Sequence, residues 1–384
     1  MNPTPPTQHV PTTLAVYVHV PFCRAKCPYC AFYSVPLAGR DVPRFLDALL
    51  HELDLHAPAE PIVTLYLGGG SPSCLDPQHL LDLTRRLTDR LGRPAELTLE
   101  INPGQLPPGT LARLRKLGIN RFSIGVQSFH PDDLRMLGRP YDPQVIQGTV
   151  AAARAAGFDN LGFDLIYAIP HSSLSRWRET LYAALDLQPR HISAYSLTYE
   201  PPSRFHELRR TSQLTPIDED ADRAMYDLAV ETLEAAGLKQ YEISNFAQPG
   251  YECRHNLTYW ANRPWLGLGP AAASWYRGAR TANLADLDAY LTAVEAGRLP
   301  IAHRETPDPD ALACETAVLM LRRTRGIDLA EFRQLTGRDP LALFAPPIAR
   351  YRLLGLLEAH PDRLCLAPHA RPIADSILCD FASF

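Results

Sequence analysis

Short runs rich in β-forming residues alternate with longer amphipathic stretches along the first half of this chain. Such alternation is typical of parallel βα units. The predicted strands are Leu14–Val20, Ile62–Leu67, Glu96–Ile101, Arg121–Val126, Leu161–Ile166 and His191–Leu197, and the predicted helices between them are Pro43–His56, Asp76–Leu91, Pro108–Leu117, Pro143–Ala156 and Leu174–Leu187. Six units predict an α/β fold, a partial (β/α)6 barrel similar to a TIM barrel. In such folds the chemistry lies in the loops after the strand C-termini.

The residues with the most distinctive chemistry stand at the ends of these predicted strands. A CxxxCxxC cluster follows the first strand, and a glycine run follows the second. Glycines let the backbone approach a ligand closely and point N–H groups at an anion. The residues of this predicted rim are Cys23, Cys27, Cys30, Gly68, Gly69, Gly70, Ser71, Glu100, Gln127, Arg139 and Asp164. A structural salt bridge would explain each polar group alone, but their convergence with three thiols favours a binding site.

Three cysteines within eight residues favour a soft metal centre. Thiolates suit zinc, copper(I) or an iron–sulfur cluster, and three of them on one loop leave a cubane with one iron that no local cysteine holds. A zinc knuckle without its fourth ligand, a redox pair with a spare thiol, and coincidence are the alternatives. Structural zinc usually shows a second ligand pair, and a redox pair needs no third cysteine, so the cluster is favoured. The other cysteines, predicted mostly as small buried side chains, are Cys74, Cys253, Cys314, Cys365 and Cys379.

The composition narrows the class of protein. Charged residues make up 21% of the 384 positions and hydrophobic residues 46%, which is the balance of a soluble globular protein. The net charge of -4 shows no excess of basic residues of the kind that binds nucleic acid, so no nucleic-acid partner is expected. No apolar run approaches the ~20 residues of a membrane span, and no secretory signal is evident. We therefore expect a cytoplasmic protein with reduced thiols and no transmembrane segment.

Several of these motifs together resemble the radical S-adenosylmethionine (SAM) superfamily. The first is the run Tyr17–Cys23, followed by CxxxCxxC with Tyr29 before the last cysteine and by a Gly-Gly-Gly-Ser-Pro-Ser loop. The resemblance continues through Asn120–Phe129, Asp164–Tyr167, Tyr241–Ala247 and Arg254–Trp260. Within the superfamily, these motifs resemble the oxygen-independent coproporphyrinogen III oxidase group.

The resemblance implies two cofactors. Cys23, Cys27 and Cys30 would hold a [4Fe-4S] cluster whose open iron chelates the amino and carboxylate groups of SAM. The positions implied around this SAM are Tyr17, Gly69 and Glu100, and those implied for a second SAM, as in the oxidases, are Tyr29, Gly70, Ser71, Gln127, Arg139, Asp164 and Thr198. The cluster would give one electron to the sulfonium, and the resulting 5′-deoxyadenosyl radical must be shielded from water, as a barrel mouth can do.

Two departures indicate the HemW-type branch of this group, which consists of haem chaperones. The oxidases carry a further cysteine two residues after the third, and a longer N-terminal segment. Here Ala31 and Phe32 follow Cys30, and only 22 residues precede Cys23. The implied function is haem binding and delivery to recipient haem proteins, with an electron donor for the cluster as a further partner; a homodimer is left open. The alternatives are a coproporphyrinogen III oxidase of porphyrin biosynthesis, which makes protoporphyrinogen IX, and a radical SAM enzyme for an unrelated substrate.

The motif Arg254–Trp260 also belongs to the chaperone branch and supplies a haem ligand candidate, His255. A neutral imidazole is a good axial ligand, and flanking aromatic residues can cover a porphyrin face. A lone histidine is otherwise usually a surface or hydrogen-bonded residue. Cys253, two positions earlier, is a second conceivable ligand.

The chain also departs from the usual family pattern at three loops. Ala168 and His171 stand where glycines are usual. The segment Leu137–Tyr141 lacks the histidine that commonly follows the arginine, and Gly269–Ser274 is rich in alanine. These departures concern contacts to substrate or haem and leave the cluster motif intact.

The predicted organisation has four parts. They are a flexible tail (residues 1–12), the core barrel (13–247), a connecting region that contains the Arg254–Trp260 motif (248–306) and a smaller, mostly helical, winged-helix-like domain (307–384). The further predicted elements are the helices Asp218–Ala236, Pro309–Arg323, Asp328–Thr336 and Pro346–Ala359 and a hairpin from Arg363–Leu366 and Ile373–Ile377. Acidic residues interleave with the arginines of the last part, which favours packing or partner binding over DNA binding.

Overall fold

The structure is a computed structural model that describes residues 13–139 and 141–382, so the predicted tail of residues 1–12 lies outside the described part. The strands, numbered along the chain, are β1 (Leu14–Val20), β2 (Phe22–Cys23), β3 (Val35–Pro36), β4 (Ile62–Gly69), β5 (Glu96–Ile101), β6 (Arg121–Gln127), β7 (Asn160–Tyr167), β8 (His191–Ser196), β9 (Lys239–Gln240), β10 (Asn245–Ala247), β11 (Trp265–Leu268), β12 (Ala273–Tyr276), β13 (Ala279–Asn283), β14 (Ile301–Glu305), β15 (Ile327–Asp328), β16 (Leu357–Ala359) and β17 (Arg363–Leu366).

The helices follow the same numbering. They are α1 (Val42–His56), α2 (Pro77–Leu91), α3 (Pro108–Leu117), α4 (Pro131–Met136), α5 (Pro143–Ala155), α6 (Leu174–Asp186), α7 (Arg204–Arg210), α8 (Glu219–Ala235), α9 (Arg254–Trp260), α10 (Leu287–Glu295), α11 (Pro309–Leu321), α12 (Leu329–Thr336), α13 (Pro340–Leu343), α14 (Ala345–Leu353) and α15 (Ala374–Leu378). Short 3₁₀ turns span Pro72–Cys74, Pro368–Ile373 and Cys379–Phe381. Among the described residues, no helix combines the length and the apolar character that a membrane crossing requires.

A sheet of twelve strands forms the centre of the fold. Seven neighbouring strands run parallel in the order β11-β1-β4-β5-β6-β7-β8. Antiparallel strands extend both edges, β10 and β9 beyond β8, and β12, β13 and β14 beyond β11. Within the described part the sheet ends at β9 and β14 without closing. The predicted α/β partial barrel is confirmed, and its six predicted strands are β1 and β4 to β8.

The seventh parallel strand, β11, was not predicted. It lies within residues 248–306 and pairs with β1, where Tyr17 stands opposite Gly267. Residues 248–306 therefore contribute four strands to the same sheet as the core barrel. A Cβ on Gly267 would lie 2.2 Å from the Ala273 carbonyl oxygen, so the chain needs glycine there. A four-residue strand with an internal glycine carries too little apolar periodicity to be found from the sequence.

The two faces of the sheet differ in polarity. In β5, Leu97 and Leu99 point outward into the apolar core beneath the helices. The alternate side chains Glu96, Thr98 and Glu100 point into the barrel, because successive residues of a strand face opposite sides. The barrel interior is therefore polar, and the outer layer holds the fold together.

Residues 313–381 have a second apolar core of their own. The predicted helix ending at Ala359 is wrong beyond Leu353, because Gly355 adopts a left-handed φ of +70° and Leu357–Ala359 form a strand. That strand is the hairpin partner of β17. The predicted partner Ile373–Ile377 is therefore also wrong, since this segment is a 3₁₀ turn followed by a helix.

One buried carboxylate joins the outer helices to the added strands. Glu52 of α1 is fully buried and accepts hydrogen bonds from Gly269 N (2.8 Å), Asn283 Nδ2 (2.6 Å) and Tyr290 Oη (2.6 Å). Burial raises the pKa of Glu52 to about 7, although these three donors favour the ionised form. The folded protein therefore keeps a proton on Glu52 at pH values where the unfolded chain has lost it.

We expect this carboxylate to make the protein less stable as the pH rises. Glu52 ionises near 4.5 in the unfolded chain and near 7 in the folded one, so folding binds a proton between these values. The contribution of Glu52 to the free energy of unfolding should fall by about 1 kcal/mol per pH unit in that window and level off above it. Urea titrations between pH 4.5 and 8, followed by tryptophan fluorescence, would measure this slope. Glu100 titrates in the same window, so Glu52→Gln, which removes one of the two carboxylates, should reduce the slope by about 1 kcal/mol per pH unit relative to the wild type. An equal slope in the variant would contradict the assignment.

Candidate cluster and cofactor site

The three clustered cysteines follow β1 at the C-terminal mouth of the barrel, with Cys23 at the end of β2 and Cys27 and Cys30 in the loop after it. All three thiols are partly exposed and unpaired. The loop is held at both ends, because the Leu37 N–H donates to the Cys23 carbonyl (2.9 Å) and the Cys30 N–H donates to the Cys27 carbonyl (3.1 Å). Both bonds use the backbone, so the sulfur atoms stay available for a metal centre.

The spacing of these sulfur atoms distinguishes between metal centres. Two sulfurs on one zinc ion are at most about 4.6 Å apart, since each Zn–S bond is about 2.3 Å. Within the described part of the chain, the group of three ligand residues whose atoms all lie within 4.8 Å of one another is Glu358, His360 and Cys365. The three sulfurs of the loop are therefore spread more widely than one ion requires. Such a spread disfavours a single zinc ion held by all three cysteines.

The electrostatic setting of the thiols couples metal binding to proton release. Burial raises the pKa of Cys23 and also that of Cys30, and the neighbouring thiols add to both shifts. The Arg139 guanidinium opposes the shift at both cysteines. Because thiolates are the ligands, loading the site must release these protons.

The glycine run at the end of β4 packs directly against the cysteine loop. A Cβ on Gly70 would lie 2.7 Å from the Phe22 carbonyl oxygen and 3.0 Å from Cys23 Sγ. Gly69 has a φ of +115°, and a Cβ there would lie 2.9 Å from His19 Nδ1. The run therefore forms a cradle that only glycine can line. Its backbone reaches the space beside the thiols, as a cofactor bound there would need.

Glu100 lies below this cradle. Tyr66 Oη donates to Glu100 Oε1 (2.8 Å), and the Gly69 N–H also donates to the carboxylate. Burial, and next the charge of Asp164, raise the pKa of Glu100 to about 7. The Tyr17 ring lies 6.1 Å from the Tyr66 ring. Three of the sequence-predicted positions, Tyr17, Gly69 and Glu100, thus meet on one side of the mouth.

A second group of predicted residues meets around Asn102, which the sequence did not single out. Arg139 donates to Asn102 Oδ1 and, through Nη2, to Tyr29 Oη (3.1 Å). Asn102 Nδ2 in turn donates to Ser71 Oγ (2.7 Å). A Cβ on Gly125 would lie 3.0 Å from both Asn102 Oδ1 and Gln127 Nε2. The position of Asn102, at the end of a strand and two residues after Glu100, was the available signal.

Arg139 has capacity left for an anionic group. Its Nε is buried and makes no hydrogen bond among the described residues. A buried guanidinium donor without a partner is costly, and a carboxylate is the group that matches it best. The donor set of this region therefore fits the amino-acid end of a cofactor such as SAM.

The last two predicted SAM positions lie away from this group. Asp164 is deeper in the barrel and accepts hydrogen bonds from Ser123 Oγ (3.0 Å) and Ser193 Oγ (2.8 Å). Thr198 is exposed in the loop that follows β8. The structure thus places Asp164 in the interior polar network and Thr198 at the rim.

His255 lies inside the fold. Its side chain is 1% exposed, Nδ1 is 2.8 Å from Thr64 Oγ1, and Nε2 is 2.8 Å from Tyr259 Oη. Burial, and next Arg121, lower the pKa of His255 to about 3, so the ring is neutral. Coordination of haem iron by His255 would require one of these two hydrogen bonds to break. Cys253 is also fully buried, and its thiol lies 3.6 Å from Glu96 Oε1.

The loops that depart from the family pattern keep a backbone that suits glycine. Ala168, His171 and Ala271 have φ values of +56°, +65° and +60°. A residue with a Cβ pays about 1 kcal/mol or more in this region. Glycine at these three positions would adopt the same backbone at lower cost. Of the singly placed cysteines, Cys74, Cys253, Cys314 and Cys365 are buried as predicted, and Cys379 is exposed.

Comparisons with known proteins agree with the arrangement. Residues 17–182 match the radical SAM superfamily, and residues 308–373 match the HemN C-terminal domain. The chain is 30% identical over 373 residues to "Heme chaperone HemW" of Bacillus subtilis, covering 96% of this chain and 98% of that protein. It is 35% identical over 371 residues to the protein of the same name from Mycobacterium tuberculosis, covering 94% and 93%.

The fold is also found in a solved structure. Coproporphyrinogen III oxidase (HemN) from Escherichia coli superimposes with a TM-score of 0.84 at 22% identity, covering 97% of this chain and 90% of that one. At this identity the likeness concerns the fold. It extends over the barrel and the C-terminal module together.

Proposed function

This chain belongs to the radical SAM superfamily and, within it, to the family of the haem chaperones named HemW, and from that premise we propose that it binds haem and delivers it to haem proteins. The observation that carries the proposal is the similarity to two chaperones over nearly the full length of all three chains. Recipient haem proteins are the proposed partners, together with an electron donor for the cluster. The eight cysteines, none in a disulfide within the described part, suit the reducing cytoplasm.

Phe32 supports the chaperone over the oxidase. It stands where the oxidases carry their further cysteine, and its side chain is 71% exposed beside the cysteine loop. A large apolar side chain facing solvent at a binding mouth offers an aromatic face to a flat apolar ligand. A porphyrin is such a ligand.

Cys23, Cys27 and Cys30 would hold a [4Fe-4S] cluster, which when bound supplies one electron to SAM. The chain's own residues do the positioning. Gly69 and Gly70 let the backbone come close, Glu100 accepts hydrogen bonds from polar groups of SAM, and the Arg139 donors bind a carboxylate. A Glu100 pKa near 7 lets this side chain switch between accepting and donating within a narrow pH range.

We also propose residues 307–384 as a separate domain, with residues 13–247 and 248–306 before it. Its own apolar core and the match to the HemN C-terminal domain over 308–373 support the boundary. Asn262 Nδ2 donates to Thr316 Oγ1 (2.8 Å), and Arg371 Nη1 donates to Gln240 Oε1 (2.8 Å), so polar contacts join this domain to the barrel.

The second candidate function is that of an oxygen-independent coproporphyrinogen III oxidase, the alternative that the resemblance of the sequence motifs left open. We expect anaerobically reconstituted protein to bind haem and to leave coproporphyrinogen III unconverted when SAM and a reductant are present. Parallel titrations would measure the shift of the haem Soret band and the yield of protoporphyrinogen IX. The oxidase itself, assayed under the same conditions, is the positive control for turnover. Formation of protoporphyrinogen IX by this protein at a comparable rate would refute the chaperone assignment.

His255 remains the proposed axial ligand, with Cys253 as the second choice. The neutral imidazole suits iron, and the geometry adds the condition that Thr64 or Tyr259 must release a ring nitrogen first. Loss of the shifted Soret band in His255→Ala, with the cluster absorbance intact, is the expected signature of this role.

A further inference from the structure

Glu100 is not held by the glycine cradle alone, since a second chain of contacts reaches it from inside the barrel. Tyr66 Oη donates to Glu100 Oε1 at 2.8 Å. The Tyr66 ring stacks on the His255 ring, with centroids 5.0 Å apart and planes inclined by 29°. The imidazole therefore forms one wall of the space in which the Tyr66 ring can move.

The imidazole is itself fixed from two directions. Thr64, two residues before Tyr66 on the same face of β4, binds Nδ1, and Tyr259, one turn later in α9, binds Nε2, each at 2.8 Å. A neutral imidazole has one donor and one acceptor, and either hydroxyl can take either role, so both nitrogens are satisfied. The ring cannot rotate without breaking a buried hydrogen bond.

The helix that carries His255 is anchored to the strand that carries Glu100. Glu96 accepts hydrogen bonds from the Arg254 and His255 N–H groups, both at 3.0 Å. Glu96 and Glu100 lie four residues apart on the inner face of β5. Strand β5 thus holds the start of α9 through Glu96 and carries Glu100 at its other end. Helix α9 contacts Glu100 a second time, indirectly, through His255 and Tyr66.

We propose that His255 is a positioning residue of the SAM site, which through Tyr66 fixes the orientation of the Glu100 carboxylate. The inference rests on the proposed role of Glu100 toward SAM and concerns the haem-free protein, since haem coordination by His255 would break one of its two hydrogen bonds. A site that needed only apolar volume at this place would use an aliphatic residue. Here Thr64 and Tyr259 instead hydrogen-bond both nitrogens of the His255 ring. A polar network in which every group has a partner holds its side chains in one orientation.

The decisive test compares two tyrosine variants that lose the same kind of group. Tyr259→Phe removes the hydroxyl bound to His255 Nε2, and Tyr241→Phe removes the hydroxyl bound to His191 Nε2, also at 2.8 Å. Both tyrosines are partners of a buried histidine, Tyr241 buried and Tyr259 partly buried, but only Tyr259 lies in the chain of contacts to Glu100. Tyr259→Phe is expected to weaken SAM binding to the reconstituted protein about tenfold, as the loss of one well-placed hydrogen bond does. Tyr241→Phe is expected to leave it unchanged.

A double-mutant cycle shows whether Tyr259 acts through Tyr66. Tyr66→Phe removes the donor to Glu100 directly, so adding Tyr259→Phe to it should cause no further loss of SAM affinity. The change that SAM causes in the electron paramagnetic resonance spectrum of the reduced cluster should be altered in Tyr66→Phe and Tyr259→Phe alike and be normal in Tyr241→Phe. Additive losses, or equal SAM affinity in Tyr259→Phe and Tyr241→Phe, would overturn the proposal. Wild-type SAM affinity in Glu100→Gln would overturn it as well.

Haem titrations of the same proteins distinguish failure of the positioning role from failure of the proposed chaperone function. A wild-type protein that binds SAM and not haem would remove the chaperone role and leave the positioning role standing. If the wild-type protein binds haem and Tyr259→Phe binds SAM as tightly as the wild type, the chaperone role stands and the positioning role is removed. Iron content, measured for every variant, confirms that each one has folded and carries its cluster.

Discussion

Replacing Cys23, Cys27 or Cys30 by serine is expected to abolish assembly of the [4Fe-4S] cluster. Each of the three thiols would bind a different iron, and among the described residues their loop offers no fourth cysteine that could take over. A serine hydroxyl is a poor ligand for iron at neutral pH, since it stays protonated. We expect the iron content after anaerobic reconstitution to fall from about four atoms per chain to near zero. Iron and acid-labile sulfide assays, with the visible absorbance of the cluster, measure this loss.

Cys379→Ser is the matched control, because it removes an exposed thiol outside the loop. It should retain the full iron content and the same thermal stability. A cluster that survives in Cys27→Ser would show that the loop does not hold the metal centre. One equivalent of zinc bound by the wild-type loop, with no iron retained, would favour the zinc knuckle instead.

Gly70→Ala is expected to destabilise the fold and to disturb the cysteine loop. The new methyl would lie 2.7 Å from the Phe22 carbonyl oxygen and 3.0 Å from Cys23 Sγ. Phe22 is fully buried, and the Gly70 N–H already donates to the Val20 carbonyl (2.8 Å), so neither segment can give way easily. Such overpacking costs about 2 kcal/mol. We expect a lower free energy of unfolding in urea, a displaced Cys23 thiol and a reduced iron content.

Gly148→Ala is the control for this substitution. Gly148 lies within α5, and a Cβ there would meet nothing within 4 Å. Alanine forms helix better than glycine, so this variant should gain about 1 kcal/mol of stability and keep its cluster. If Gly70→Ala behaved like Gly148→Ala, the close packing of the glycine run on the cysteine loop would be disproved.

Most of the barrel could be predicted because its elements are long and strongly patterned. The strands β1 and β4 to β8 and the helices α1 to α3, α5 and α6 bury continuous apolar faces, and these show directly in the sequence. Shorter elements could not be found in this way. Strand β11 has four residues and a glycine, and β16 has three, so tertiary pairing with β1 and β17 decides their conformation.

The C-terminal hairpin shows where apolar content misleads. Ile373–Ile377 is as apolar as a short strand, yet Pro372 lies inside a 3₁₀ turn and the segment continues as a helix. The helix predicted through Ala359 ends earlier, because Gly355 takes a left-handed conformation. Both corrections come from the backbone preferences of single residues, which outweigh hydrophobic pattern over such short lengths.

The sequence by itself determined the chemistry of the site. Cysteine spacing, the glycine run and the polar residues at strand ends are local features, and parallel strands must bring their C-terminal ends to one rim. Only the tertiary structure decided which of these residues touch. It placed Asn102 between Arg139 and Ser71, and it placed His255 in the interior behind Tyr66. The physical reason is that hydrogen bonds between residues distant in the chain depend on side-chain direction and strand register, which no local pattern records.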